Sequence, residues 1–214
     1  MKRSIVKSWL QLAFALSLVA LATLARADGP GPLEVSIGTA YARGVGSPGG
    51  TMHGLQHLAG NGGALRLEVG WRIDPRWMVG CYQEGALFDA GHEGTDGMTA
   101  SAAGVQAQFH TRPFATLDPW VGLGFGWRGI WIDHGMGTHA MQGLDLARLQ
   151  VGVDYRVSPR FSVAPVLGVA ATELLKEKRP GAGSYSNLSD RKVSAFVFAG
   201  LSGRMDIFGG STRG

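Results

Sequence analysis

Ala147-Arg148-Leu149-Gln150-Val151-Gly152-Val153-Asp154-Tyr155-Arg156-Val157 alternates strictly, residue by residue, between two kinds of side chain. Ala147, Leu149, Val151, Val153, Tyr155 and Val157 fall on one face, and Arg148, Gln150, Gly152, Asp154 and Arg156 on the other. Period two marks an extended strand, in which successive side chains point to opposite sides. The second face carries charge along its whole length. A strand that is apolar on one side and charged on the other suits a barrel set in lipid around a polar interior.

The same pattern recurs along the chain. It predicts strands over about 33–43, 64–73, 76–87, 101–112, 120–132, 160–172 and 192–207, besides the one quoted. In the first, Leu33, Val35, Ile37, Thr39 and Tyr41 lie outward. In the fifth, Val121, Leu123, Phe125, Trp127 and Trp131 oppose Gly122, Gly124, Gly126 and Arg128. The third is irregular: Trp77, Val79 and Cys81 set one phase and Gln83 breaks it, so its register stays open and Glu84 with it. Eight tilted strands of about ten residues can each cross a hydrocarbon layer. Asp74-Pro75, Pro113 to Pro119 and Ser158-Pro159 are short turns, whereas 44–63, 88–100, 133–143 and 173–191 are longer and polar. Long and short connections alternate, as in a barrel with tight inner turns and larger outer loops. The expected fold is all-β, an eight-stranded antiparallel up-and-down transmembrane β-barrel. A soluble barrel with its apolar face inward is the alternative, and the glycine-rich face of the fifth strand would serve it poorly as a solvent face.

The ends and the composition fit that setting. Lys2, Arg3 and Lys7 precede an apolar run from Trp9 to Leu24, and Ala25-Arg26-Ala27 supplies small residues for cleavage. This is the pattern of a signal peptide over 1–27, leaving a barrel over 28–208 and a short tail over 209–214. The leader holds four of the 20 basic residues and none of the 16 acids, so the remainder is balanced and no nucleic-acid partner is implied. The single cysteine, Cys81, excludes an internal disulfide.

Asp118-Pro-Trp-Val-Gly-Leu-Gly-Phe-Gly126 resembles a strand opening found in the small outer-membrane barrels of Gram-negative bacteria. That group includes the membrane domain of outer membrane protein A and the X and W proteins. The resemblance implies a monomeric barrel surrounded by outer-membrane lipid and lipopolysaccharide. It also implies an encounter with the insertion machinery, which reads an aromatic residue at the end of the last strand; here Phe208 ends the strand and Gly209 to Gly214 follows.

The phasing sends Arg66, Arg72, Arg112, Arg128, Arg148, Arg156 and Arg204 inward, against Glu34, Glu68, Asp154 and Asp206. Arginine suits bidentate pairing with carboxylates. On the lipid face such a charge would cost about 2–4 kcal/mol. The expected role is a structural network that fills the lumen, with a narrow, anion-preferring pore as the alternative. The inward glycines either leave space or make room for the arginine heads. Trp71, Trp77, Phe109, Phe114, Trp120, Tyr155, Phe161 and Phe208 lie near the short turns and are expected as an interfacial aromatic belt. Tyr41, Phe88, Trp127 and Trp131 lie toward the other rim.

Five of six histidines, His53, His57, His92, His134 and His139, fall in the outer loops without a completed ligand motif. No metal and no cofactor is expected. His92, Glu93, Asp96 and Ser101 match no known lipid-modifying pattern, so no catalytic residue is assigned and a lipid-modifying enzyme is a distant alternative. His110, with Thr111 and Arg112, reads as lumen and rim. The loop over 173–191, with Lys176, Glu177, Lys178, Arg179, Tyr185 and Asn187, is the most charged, and contact with lipopolysaccharide phosphates is the hypothesis it suggests. The function expected is structural or a surface interaction through the outer loops.

Overall fold

The protein is described by a computed structural model covering residues 33–49, 54–55, 59–90, 95–135 and 137–207. Its strands are β1 (Leu33–Val45), β2 (Ala59–Arg72), β3 (Trp77–Ala90), β4 (Thr95–His110), β5 (Leu117–His134), β6 (Gly137–Ser158), β7 (Phe161–Lys178), β8 (Ser186–Asn187) and β9 (Val193–Asp206). Neighbours in sequence pair antiparallel from β1 to β7, and β9 closes the ring between β7 and β1. β8 is a two-residue addition to β7 inside the last loop, so eight strands make the wall.

The pairing register fixes the geometry. One row of cross-strand partners runs from Arg43 through Val197, Val169, Leu149, Leu123, Ala107, Val79 and Trp71 to Leu33, ten residues below its start. With about 3.3 Å per residue and about 4.8 Å between strands, that stagger tilts the strands by about 40° and sets a backbone radius of about 8 Å. Such a barrel holds little more than its own side chains.

The outside is an apolar girdle. Ile37, Leu65, Leu123, Phe125, Leu167 and Leu201 are each 57–63% exposed. In water these would be a severe liability; against acyl chains they are at home. The inverted, soluble barrel is thereby excluded.

Most strands run further toward the outer rim than the sequence predicts, β2 from Ala59 and β4 from Thr95 among them, and three bear on the site. β3 runs in continuous register from Trp77 to Phe88 against β4, with no bulge, which turns Gln83 outward and Glu84 into the lumen. β6 extends ten residues beyond Ala147, through most of the expected loop 133–143. The reason is a bulge: the register shifts between Asp145 and Ala147 against β7, so Leu146 and Ala147 both face out while Asp145 and Arg148 both face in. A strict period-two reading loses the strand at that point. β7 likewise extends to Lys178, into the expected loop 173–191.

The interior has two characters. From the inner turns to mid-barrel it is charged and hydrogen-bonded. Toward the outer rim it becomes apolar, with Phe88, Met98, Ile130, Ile132, Met141, Leu174 and Phe196 buried together. Two loop leucines complete this plug: the Leu55 amide donates to the Gly46 carbonyl at 2.7 Å and the Leu188 amide to the Leu175 carbonyl at 2.9 Å. Phe88 belongs to it, not to an outer aromatic rim. Outer-end positions on the outside turn polar over the same stretch, as with Arg43, Asp89 and Asp133.

Candidate functional site

Charge inside the barrel is arranged in layers, each strand contributing alternate residues to a common level. At mid-barrel Glu84 is the centre. Its Oε2 accepts from Arg148 Nη2 at 2.6 Å and Arg66 Nη2 at 3.1 Å, and its Oε1 lies 3.6 Å from Arg128 Nη1. Arg128 in turn grips Asp145 through Nε and Nη2, both at 2.8 Å, and Thr172 donates to the same carboxylate at 2.6 Å. Arg66 also donates to Gln150 at 3.1 Å, and Gln150 to Gln106 at 2.8 Å.

Nearer the inner turns, Glu34 takes Arg72 at 2.8 Å and Arg204 at 3.0 Å. Arg204 also donates to Gln108 at 2.9 Å, which donates to Glu68 at 3.2 Å. Glu68 lies 3.6 Å from Arg66, joining the two layers. Beside them the Trp120 indole N–H donates to Asp154 at 3.1 Å, and His110 Nδ1 meets Asp118 Oδ2 at 2.8 Å.

Glycines and aromatics interlock with this network. An added Cβ at Gly152 would meet the Trp120 indole, at Gly168 the Phe198 ring, and at Gly104 and Gly126 the Tyr82 side chain. Guanidiniums then lie over these rings: Arg204 over Trp120 at 4.2 Å, Arg66 and Arg148 over Phe198 at 4.2 and 4.5 Å, and Arg148 over Tyr82 at 4.5 Å. Arg128 lies over Phe196 in the same way, at 4.3 Å. Cation–π contact is strongest where water is excluded. These four inward glycines thus seat aromatic rings.

Arg66, Glu68, Arg72, Arg128, Arg148, Asp154 and Arg204 meet in the lumen. Arg112 does not. It lies exposed in the turn after β4, because the alternation ends at His110 and the chain turns there. Arg156 and Asp206 pair with each other at 3.2 Å at the inner mouth, half-buried and apart from the main network. Trp71, Trp77, Phe109, Tyr155 and Phe161 face outward near the inner turns, with the Trp77 and Phe109 rings 5.0 Å apart. Trp120 is a correction: it stands in phase with Gly122 and Gly124, so it is buried in the lumen, 3% exposed, and is no part of the belt. Phe114 lies in the turn, its ring 5.3 Å from Arg72 and 5.5 Å from Arg156. Phe208 lies outside the described residues, as do His53, His57, His92 and Glu93.

Asp118 and Asp145 were missed by the sequence reading. Asp145 sits beyond the bulge, and Asp118 precedes a proline that reads as a turn. At the outer rim Lys176, Arg191 and Lys192 are exposed, while Arg179 is held by Glu177 at 2.9 Å and Lys192 by Asp190 at 3.2 Å. Glu177 also lies 3.2 Å from His139 Nε2. Ser101 faces outward on β4.

No family model and no curated protein matches the chain. Solved structures do. Neisserial surface protein A is similar over 82% of this chain and 97% of its own, at 14% identity and a TM-score of 0.59. OprG of Pseudomonas aeruginosa covers 82% of this chain and 96% of its own, at 11% identity and a TM-score of 0.53. AlkL, determined in lipid bilayers, covers 86% and 96%, at 13% identity and a TM-score of 0.52. At these identities the likeness is one of fold, and it meets the apolar girdle and charged lumen found independently. The chain has the fold of the small eight-stranded outer-membrane β-barrels and is built to stand in that membrane.

Proposed function

We propose that the protein is a closed, monomeric barrel that works by surface interaction at its outer rim, toward the anionic saccharide of lipopolysaccharide. The observation that carries this reading is the filled interior: an ion-pair network below and an apolar plug above leave the rim as the surface open to a partner. The rim on β7 and the following loop carries Lys176, Lys178 and Arg191, for which no carboxylate among the described residues lies within salt-bridge distance. Each basic residue at an anionic membrane surface contributes about 1 kcal/mol. In this reading the chain catalyses nothing, takes no organic cofactor and meets no nucleic acid. Insertion machinery is its transient partner during assembly.

The test is charge reversal of Lys176, Lys178 and Arg191 together, with binding of the detergent-refolded protein to purified lipopolysaccharide as the measurement. Affinity should fall at least about tenfold. Binding that is unchanged removes the proposal.

A further inference from the structure

At the inner end of the lumen three side chains converge at the edge of the ion-pair network, which among the described residues reaches them only through Arg204 and Asp154. His110 ends β4, Asp118 opens β5 and Asp154 lies near the inner end of β6. All three are at most 3% exposed. The Oδ2 atoms of both carboxylates turn toward one imidazole nitrogen, His110 Nδ1, at 2.8 Å from Asp118 and 3.8 Å from Asp154. Their other oxygens are already anchored. Asp118 Oδ1 accepts the Arg112 amide at 3.1 Å, and Asp154 Oδ1 accepts the Trp120 indole N–H at 3.1 Å and lies 3.3 Å from Arg204 Nε as an ion pair.

We propose that His110, Asp118 and Asp154 form a binding site for one divalent transition-metal ion, of the zinc type, at the inner mouth of the barrel. An imidazole nitrogen with two carboxylate oxygens is a donor set such ions accept. One donor atom from each residue lies within 4.8 Å of the other two. Ligand atoms about 2.0–2.2 Å from a common ion stand about 3–4 Å from each other, so a small inward turn of the side chains closes the set around an ion. Ligating carboxylates are held by outer hydrogen bonds, as both are here.

A second, independent observation points to a bound cation. Among the described residues below the apolar plug, six buried carboxylates (Glu34, Glu68, Glu84, Asp118, Asp145, Asp154) face only five buried guanidiniums (Arg66, Arg72, Arg128, Arg148, Arg204). Buried charge is paired or coordinates a metal. The surplus belongs to the inner end, where Asp118 has no described arginine within salt-bridge distance and His110 Nε2 is buried without a protein partner. The short turn after β4, with Arg112 exposed, separates the site from the solvent on that side. The ion enters there or is captured as the strands close.

The experiment refolds the barrel in detergent with Zn²⁺, removes free metal and measures the metal retained per chain, with urea unfolding followed in parallel. One ion per barrel is expected, with an unfolding midpoint raised by Zn²⁺, since a ligand bound only by the folded state stabilises it. Asp154→Asn and Asp118→Asn should each weaken retention at least about tenfold and abolish the zinc-dependent shift, while His139→Gln at the outer mouth retains both. His110→Gln is the stronger variant, and the two asparagine variants keep the test sound if it does not fold, as judged by the gel shift on boiling. Two results overturn the proposal. One is a wild-type barrel that folds and retains no zinc, so that the His110–Asp118 contact stands without an ion. The other is retention that survives all three variants, which places the ion on the outer-loop histidines.

Discussion

Glu84 shows what a single side chain does in a lumen of this kind. One carboxylate is shared by three guanidiniums, from Arg66, Arg128 and Arg148, on three other strands. A glutamine in its place keeps the shape and removes the charge, leaving Arg148 without an acidic partner among the described residues and Arg66 and Arg128 with only Glu68 and Asp145, in a medium without water. Glu84→Gln should cost about 3–5 kcal/mol, read from urea unfolding of the barrel in lipid vesicles; a loss below about 1 kcal/mol would mean that water reaches the layer. The residue was left open in the sequence because Gln83 breaks the apolar phase of β3. A polar side chain on the lipid face is the exception that hides the rule, and only pairing with β4 settles it. Arginines were easier to place: Arg66, Arg128, Arg148 and Arg204 each sit on the polar face of an alternating stretch, and the lipid face opposite forbids such a charge.

Strands in this barrel are defined as much by what they omit as by what they carry. At Gly200 an added methyl would strike the carbonyl of Thr39 and the backbone of Ala40 on β1, neither of which can step aside. At Gly85, on the lipid face of β3, the same methyl would meet nothing within 4 Å. Gly200→Ala should therefore destabilise the barrel by about 1–3 kcal/mol, and Gly85→Ala should be neutral or stabilising by up to about 1 kcal/mol, both by denaturant titration. Equal effects would mean that glycine content matters through chain entropy alone. Alternation made the inner two-thirds of every strand but β3 readable, because lipid disfavours a polar side chain there. It failed above Ala147, where a bulge resets the phase, and along the outer ends of β4, β5 and β7, where water replaces lipid and the pattern inverts. Trp120 misled for a related reason. Aromatics prefer the interface, but its phase along β5 belongs to the lumen, and the glycine at 152 that seats it is far away in sequence.

Among the described residues the barrel is a wall about 8 Å in radius around a packed lumen, which has a plain electrical consequence. In planar bilayers the refolded protein should give no stable conductance steps above the lipid baseline. Sustained channels would require the Leu55 and Leu188 plug and the Glu84 layer to move aside together. The boiled and unboiled protein should differ in gel mobility, as expected when a hydrogen-bonded ring resists detergent. The seam of that ring has a consequence for how the protein is made. Arg204 sits on the last strand, yet its acidic partners Glu34, Glu68 and Asp154 come from β1, β2 and β6. Until β9 arrives, Asp154 lacks its arginine and Glu34 and Glu68 keep only Arg72 and Arg66, and no open sheet of seven strands has a comfortable place in lipid. Assembly has no halfway house: the final strand brings the charge that makes the other seven compatible with the membrane.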